Sequence, residues 1–548
     1  MNKMIKESYR SSGIRFGLAI VFVSSVSQAQ SFLPIPALGL PKGNHPALSS
    51  PALRELPAPM RNRALTINDV VAIAMSTNRN LALQFEAYLQ SRGVTTTARA
   101  GLGPRLSANY VYDAYTNSVV SQIGGQNVVV SEQYQSQYTA QLSLPIDITG
   151  ELKAAVSQAK YQEIAARLDI NRERNQLVLD VKNAFYTVLK DQALVKVGED
   201  ALQNAVDRLA DTELRVEAGT AARYDLTTSK SDVASAQQTL IADRGSLSQA
   251  FASLNNTIGI NVDTPLELTT EGAVTTPASA TLPYSPPNLN PSKPPEENLQ
   301  IGANGLVGDA GKSLREAVTH FKVKNPLPPT SDFYLLQKEA LSNRPEILEQ
   351  DADVSAARKG IMVARSGLLP SLSLGYDYSY TPDVGFLSPA HSSYGTLTLS
   401  FPIFDSGAER GKVQQASAQL ATAETNRRTQ IDSVMLELQQ AYTNRQAAEL
   451  SIVALGQALA QADEAYQLAR LRYTTGVTAQ SGVSPIVELS NAQNTLSQAQ
   501  SNYVTALYSY NSDLAAVDKA VGKYSYASPK LGFGAPPSLS SLGGGAKR

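Results

Sequence analysis

Three landmarks in this chain occur twice, in the same order. Pro145-Ile146-Asp147-Ile148-Thr149-Gly150 returns as Pro402-Ile403-Phe404-Asp405-Ser406-Gly407, and Leu214-Arg215-Val216-Glu217-Ala218-Gly219 returns as Leu471-Arg472-Tyr473-Thr474-Thr475-Gly476, each 257 residues later. Upstream, Leu102-Gly103-Pro104-Arg105-Leu106 has its counterpart in Leu368-Leu369-Pro370-Ser371-Leu372. An internal repeat of this kind constrains architecture more than local propensity does. The constant spacing of the last two landmarks leaves no net gain or loss of residues between them. Loops tolerate insertions, whereas one extra residue in a helix turns every later side chain to a new face. Each repeat is therefore expected to contain one unbroken helix here.

The apolar pattern supports that expectation. Val181, Val188, Val195, Leu202, Leu209 and Val216 fall seven apart, and so do Leu226, Val233, Leu240, Leu247 and Leu254 on a return arm. The second repeat has Leu438, Arg445, Ile452, Leu459, Tyr466 and Tyr473, with one charged interruption, then Leu489, Leu496, Tyr503, Tyr510 and Val517. Sustained heptads predict coiled-coil packing. A straight helix from Glu151 to Gly219 is ~100 Å long at ~1.5 Å per residue.

Ahead of each long helix the period changes to two. Leu372, Leu374, Tyr376, Tyr378 and Tyr380 alternate with small or polar residues, and Leu397, Leu399, Phe401 and Ile403 follow in a second run. In the first repeat Leu106, Ala108, Tyr110 and Tyr112 alternate, then Tyr138, Ala140, Leu142 and Leu144. Such alternation fits a soluble half-buried hairpin or a lipid-facing barrel strand equally well. A leader-like N-terminus favours the second. Lys3, Lys6, Arg10 and Arg15 precede a short apolar run from Phe16 to Val23, and Ser27-Gln28-Ala29 suits cleavage after Ala29. No apolar segment reaches the ~20 residues of a spanning helix, so entry into a membrane would be by strands. Four strands cannot close a barrel, and open edges cannot face lipid. Two copies would supply eight strands and three copies twelve.

Composition excludes several function classes. Net charge is −1, which gives no field for nucleic acid. With no cysteine there is no thiol chemistry or disulfide, and His45, His320 and His391 share no ligand spacing, so neither metal nor cofactor is expected. Gly305-Leu306-Val307-Gly308-Asp309-Ala310-Gly311-Lys312-Ser313 resembles a phosphate loop but has one residue too many between its glycines. The layout read from the sequence is a signal peptide at 1–29, a Pro-rich segment at 30–63, a first repeat at 64–260, a linker at 261–330, a second repeat at 331–522 and a Gly/Ser/Pro-rich tail at 523–548. Each repeat comprises a helix, two strands and a long helical hairpin.

In this order and duplicated, the landmarks resemble the TolC-like outer-membrane efflux family. Ala340-Leu341-Ser342-Asn343-Arg344-Pro345-Glu346-Ile347 is similar to the family's repeat opening, and Gly367 to Leu372, Pro402 to Gly407 and Arg472 to Gly476 are similar to its turns. The resemblance implies a mainly α protein with β strands: a homotrimer with a twelve-strand β-barrel in the outer membrane and a twelve-helix tunnel in the periplasm. It further implies docking of a periplasmic adaptor and an inner-membrane transporter, and no enzymatic activity. On this reading Arg215, Gly219, Arg472 and Gly476 are adaptor-docking tips, and Asp225, Tyr473 and Glu488 belong to a periplasmic gate. The glycine-to-acid interval is six residues from Gly219 to Asp225 but twelve from Gly476 to Glu488, so about six residues are inserted there. A family base near the second tip has Thr478 or Ser484 in its place. The competing reading is a periplasmic adaptor-like coiled-coil protein, which has one hairpin flanked by soluble β domains rather than two.

Overall fold

The structure is a computed structural model and describes residues 63–123, 125–131, 133–270, 301–302, 305–306, 331–382, 389–475 and 484–523. The signal peptide, the Pro-rich segment before Arg63, the linker from 271 to 330 apart from 301–302 and 305–306, with its phosphate-loop-like stretch beyond Leu306, and the tail after Lys523 lie outside them. The described chain is mostly helix with a few strands. In the first repeat α1 (Ile67–Thr77) and α2 (Arg79–Ala100) lead to β1 (Arg105–Ala114), a short hairpin of β2 (Val119–Ile123) and β3 (Gln126–Ser131), β4 (Tyr134–Ile146), α3 (Glu151–Glu217) and α4 (Arg223–Ile258). A two-residue pair, β5 (Ile301–Gly302) and β6 (Gly305–Leu306), lies between the repeats. The second repeat has α5 (Ser331–Asn343), α6 (Pro345–Ser366), β7 (Ser371–Tyr380), β8 (His391–Ser400), α7 (Ala408–Thr475) and α8 (Pro485–Val521).

The long helices are unbroken over 67 residues in α3 and 68 in α7. Each begins at a left-handed glycine, Gly150 with φ 78° and Gly407 with φ 89°. An aspartate in the preceding turn caps each one. Asp147 accepts from the amides of Leu152 and Lys153, and Asp405 from those of Gly407 and Glu409. These bonds satisfy amides that the first helical turn leaves open. The heptad positions face inward along both hairpins: Val181, Val188, Leu254, Leu438 and Ile452 are almost wholly buried. The charged interruption, Arg445, lays its guanidinium over the Tyr442 ring at 5.3 Å and approaches Glu449 at 3.8 Å. No described helix is long and apolar enough to cross a membrane.

The long helices organise the rest. Toward the strands α3 packs between α2 and α6, with α7 beyond α6. Toward the tips it packs between α4 and α8, with α7 beyond α8. Apart from α1 and α5, which pack onto the bundle, every level therefore holds four helices. Where the short helices meet, α1 joins Val178, Val181 and Phe185 of α3 and Leu254 and Ile258 of α4 in the largest core cluster. A second cluster repeats the arrangement with Phe333 of α5, Val434 and Leu438 of α7, and Val517 and Val521 of α8. The two joints are fastened differently. Asn78 donates to the Thr257 carbonyl at 3.0 Å, while Arg344, 2% exposed, donates to the Lys519 carbonyl at 3.0 Å and pairs with Glu346 and Glu437.

The strands form one antiparallel sheet in the order β1-β4-β7-β8, so β4 and β7 join the two repeats. Register carries the function-relevant information. Leu106 pairs with Leu142, Leu142 with Tyr376, Leu144 with Leu374, and Leu374 with Leu397. Directly opposed residues share a face, so the apolar positions of all four strands lie together. Ser107, Gln141, Asp377 and Thr398 belong to the other face. The apolar face is uncovered, with Leu106 76% and Leu397 68% exposed. One aromatic row, Tyr110, Tyr138, Tyr380 and His391, crosses all four strands with ring separations of 4.8, 5.9 and 4.5 Å. The outer edges of β1 and β8 have no partner strand among the described residues.

Candidate functional site

The tips of the two hairpins meet. At the first, Gly219 adopts φ 72° and the Thr220 amide reaches back to the Arg215 carbonyl at 2.8 Å, closing the end of α3. Gly219 is thus a backbone device for the turn. The matching Gly476 and the insertion after it lie outside the described residues. Asp225 sits in the first turn of α4, where its carboxylate accepts from the Ala222 amide at 3.3 Å and from the Ser484 hydroxyl at 3.4 Å. Ser484 precedes α8, so this bond links the starts of the two return helices. Arg472 and Glu488 form an ion pair across the second hairpin.

Tyr473 is the junction between the hairpins. Its phenol donates to Asp211 Oδ2 at 2.6 Å, its ring lies 4.2 Å beneath the Arg215 guanidinium, and its carbonyl is 3.5 Å from Arg215 Nη1. Arg215 in turn bonds the same Asp211 oxygen at 3.0 Å. Burial pushes the Tyr473 phenol above its ordinary range, and the Asp211 bond adds to this because it requires the proton. Within the chain, then, the phenol's acceptor is Asp211. Farther from the tips, Asp232 of α4 accepts from Ser490 at 2.6 Å and from buried Arg208 at 3.2 Å, joining α4, α8 and α3. Thr212 and Ser229, both fully enclosed, bond each other at 3.3 Å.

The sequence reading brought Arg215, Asp225, Tyr473 and Glu488 to the tips but missed Asp211, Asp232 and Ser490. Asp211 carried a local signal, since it lies four residues before Arg215 and shares its helix face. Asp232 and Ser490 carried none, because their meeting depends on how α4 and α8 flank α3. Among the described residues there is no cluster of His, Cys, Asp and Glu able to hold a metal.

Against known proteins, the sequence pattern of the outer membrane efflux protein family matches residues 77–260 and 336–523. The chain is 24% identical over 462 residues to the pyoverdine export outer membrane protein OpmQ of Pseudomonas putida, covering 83% of this chain and 85% of that one. It is 23% identical over 421 residues to the probable efflux pump outer membrane protein TtgC of the same species, covering 75% and 74%. Among solved structures, the outer membrane protein VceC of Vibrio cholerae aligns with a TM-score of 0.60 at 17% identity, covering 83% of this chain and 96% of that one. The open state of the Neisseria gonorrhoeae MtrE outer membrane channel aligns with a TM-score of 0.60 at 18% identity, covering 83% and 88%. The matched segments take in most of both halves of the duplicated fold, and this chain belongs to the outer membrane efflux protein family.

Proposed function

We propose that the protein is the outer-membrane exit duct of a tripartite efflux or type I secretion system. The observation that carries this reading is the four-strand sheet with one uncovered apolar face and, among the described residues, two edges without a partner strand, continuous with ~100 Å helices. Lipid accepts strands only as a closed barrel whose backbone groups are all paired. Two copies would give an eight-strand barrel, whose interior side chains fill it. Three copies give twelve strands and leave a lumen, and four helices at every level make a twelve-helix tunnel beneath. The face holding Ser107, Gln141, Asp377 and Thr398 then lines water, and the leucine and tyrosine face meets hydrocarbon.

In this trimer the hairpin tips form the periplasmic mouth. Tyr473, with Asp211 and Arg215, and Asp225, with Ser484, tie hairpin to hairpin and hold the mouth narrow. Glu488 contributes a ring of three carboxylates. The tips around Arg215, Gly219, Arg472 and Gly476 receive a periplasmic adaptor that couples the duct to an inner-membrane transporter. The localisation is the outer membrane, with the tunnel in the periplasm.

Mass measurement of the detergent-extracted protein tests the reading together with conductance in planar bilayers. Three chains per particle and discrete channel openings are expected. A stable detergent-free monomer with no channel activity overturns it.

A further inference from the structure

A cavity just below the sheet, between α2, α3 and α6, takes no part in the duct's mouth or barrel. It measures ≈ 410 Å³ and is lined by Arg99, Lys160, Arg167 and Lys359 against one carboxylate, Glu163. That size suits a small ligand. Among the described residues neither Arg99 nor Lys160 makes an ion pair, and the Lys359 ammonium has only a 3.9 Å contact to Met362 Sδ.

The cations are not demanded by helix packing. Lys153, Lys160, Arg167 and Arg174 lie seven apart on one face of α3, and the positions 257 residues on are Arg410, Ser417, Glu424 and Ile431. The second repeat thus builds the same helix with a single cation in that column. The column's depth and facing indicate what it meets. Thr95 bonds the Ala159 carbonyl at 3.2 Å, so Arg99, four residues later on antiparallel α2, comes level with Ala155. Arg99 is then about 6 Å, and Lys160 about 14 Å, below the start of α3. A headgroup layer occupies roughly the first 5–8 Å outside the hydrocarbon, and long basic side chains reach up toward it. Farther along α3 the same column continues as Val181 and Val188, which are buried in one cluster with α1. A duct has to keep its lumen clear, so the face that carries the covering helix α1 is the outer one.

We propose that this cavity holds the phosphate of a phospholipid from the leaflet resting against the lower rim of the barrel, one lipid per chain. The proposal rests on the exit-duct reading. Lysine ammoniums and an arginine fork from three helices line the cavity with Glu163 as the one carboxylate of its lining, a charge balance that suits a phosphate. Bound lipid would fix the depth of the barrel and pin α2 and α6 against α3.

The test uses the full-length protein in detergent, titrated with dioleoyl-phosphatidylglycerol and read by native mass spectrometry. Wild type is expected to retain lipid saturably at one per chain. The double substitution Lys160→Gln, Lys359→Gln is expected to weaken retention tenfold or more, while Lys160→Arg, Lys359→Arg keeps it. Equal retention by wild type and the glutamine variant overturns the proposal. Inorganic phosphate at 10 mM is expected to leave the lipid in place; displacement makes this a soluble-anion site and overturns the lipid assignment. Bilayer conductance of the same preparations separates the two readings. Channels with unchanged lipid retention refute the cavity alone, and absence of channels in wild type refutes the duct.

Discussion

Tyr473→Phe removes one oxygen from the junction between the hairpins and leaves the ring under Arg215. A phenol donating to a carboxylate is worth about 1.5–3 kcal/mol when enclosed. The Asp211 side chain is 45% exposed, so water competes for it and about 1 kcal/mol remains. In the proposed trimer three such bonds hold one mouth. If they yield together the closed state loses about 3 kcal/mol, roughly a hundredfold in the open-to-closed ratio. Single-channel recording in planar bilayers reads that ratio as open probability. Tyr473→Phe should raise it strongly, and Asp211→Asn, which keeps an acceptor without its charge, should raise it less. Alkali gives an independent arm. The phenol's folded pKa lies above the ordinary value of about 10. Its stabilisation is therefore complete below pH 10 and lost as pH rises through the folded value. Wild type should open in that window and Tyr473→Phe should show no such step. Identical open probabilities for wild type, Tyr473→Phe and Asp211→Asn would falsify the latch.

Three further outcomes follow from geometry already described. Leu397→Arg on the apolar sheet face should cost about 2–4 kcal/mol if it lies near the bilayer midplane and reduce outer-membrane assembly, whereas Ser373→Arg on the opposite face should assemble; equal yields in cell fractionation would contradict the facing. Gly259→Ala should lower the melting temperature more than Gly150→Ala: both residues have φ near 78°, but a Cβ at Gly259 meets the Thr77 carbonyl oxygen at 2.7 Å while none lies within 4 Å at Gly150. Glu349, between α3 and α6, is pushed up to about 7, first by burial and then by Asp169. A carboxyl raised in this way favours folding below pH 4.5 and loses that contribution as pH rises through 7, so Glu349→Gln should stabilise the protein at pH 8 by 1–3 kcal/mol at most and little at pH 4; equal shifts in melting temperature at both pH values would contradict it.

Much of the fold was legible because its rules are periodic. Leu438, Ile452 and Tyr473 fall on the heptad and are buried, and the strand alternation at Leu372 to Tyr380 appears as one face of the sheet. What periodicity cannot supply is the relation between elements that are distant in sequence. Pairing of Tyr138 with Tyr380 joins strands from different repeats, and no local signal sets that register. The same limit hid Asp211 as the acceptor for Tyr473, since 262 residues separate them. Hairpin β2–β3 is not among the expected strands: its Val119, Val128, Val129 and Val130 lie around Gly124-Gly125 without a sustained alternation. The caps were half visible: both aspartates stand in the duplicated turns, yet Asp147 and Asp405 are displaced by one residue between repeats and still serve equivalent helix starts.

The unbroken run of α3 and α7 also restricts how a duct of this kind can change its reach. Deleting one residue from either helix would rotate everything beyond it by about 100° and expose the seam. Deleting seven restores the seam and shortens the wall by about 10 Å. The loss must then fall in α3 and α4 and, to keep the tips level, in α7 and α8 as well. In the proposed duct, tunnel length would in effect be quantised: its reach would change in whole heptads, matched across four arms.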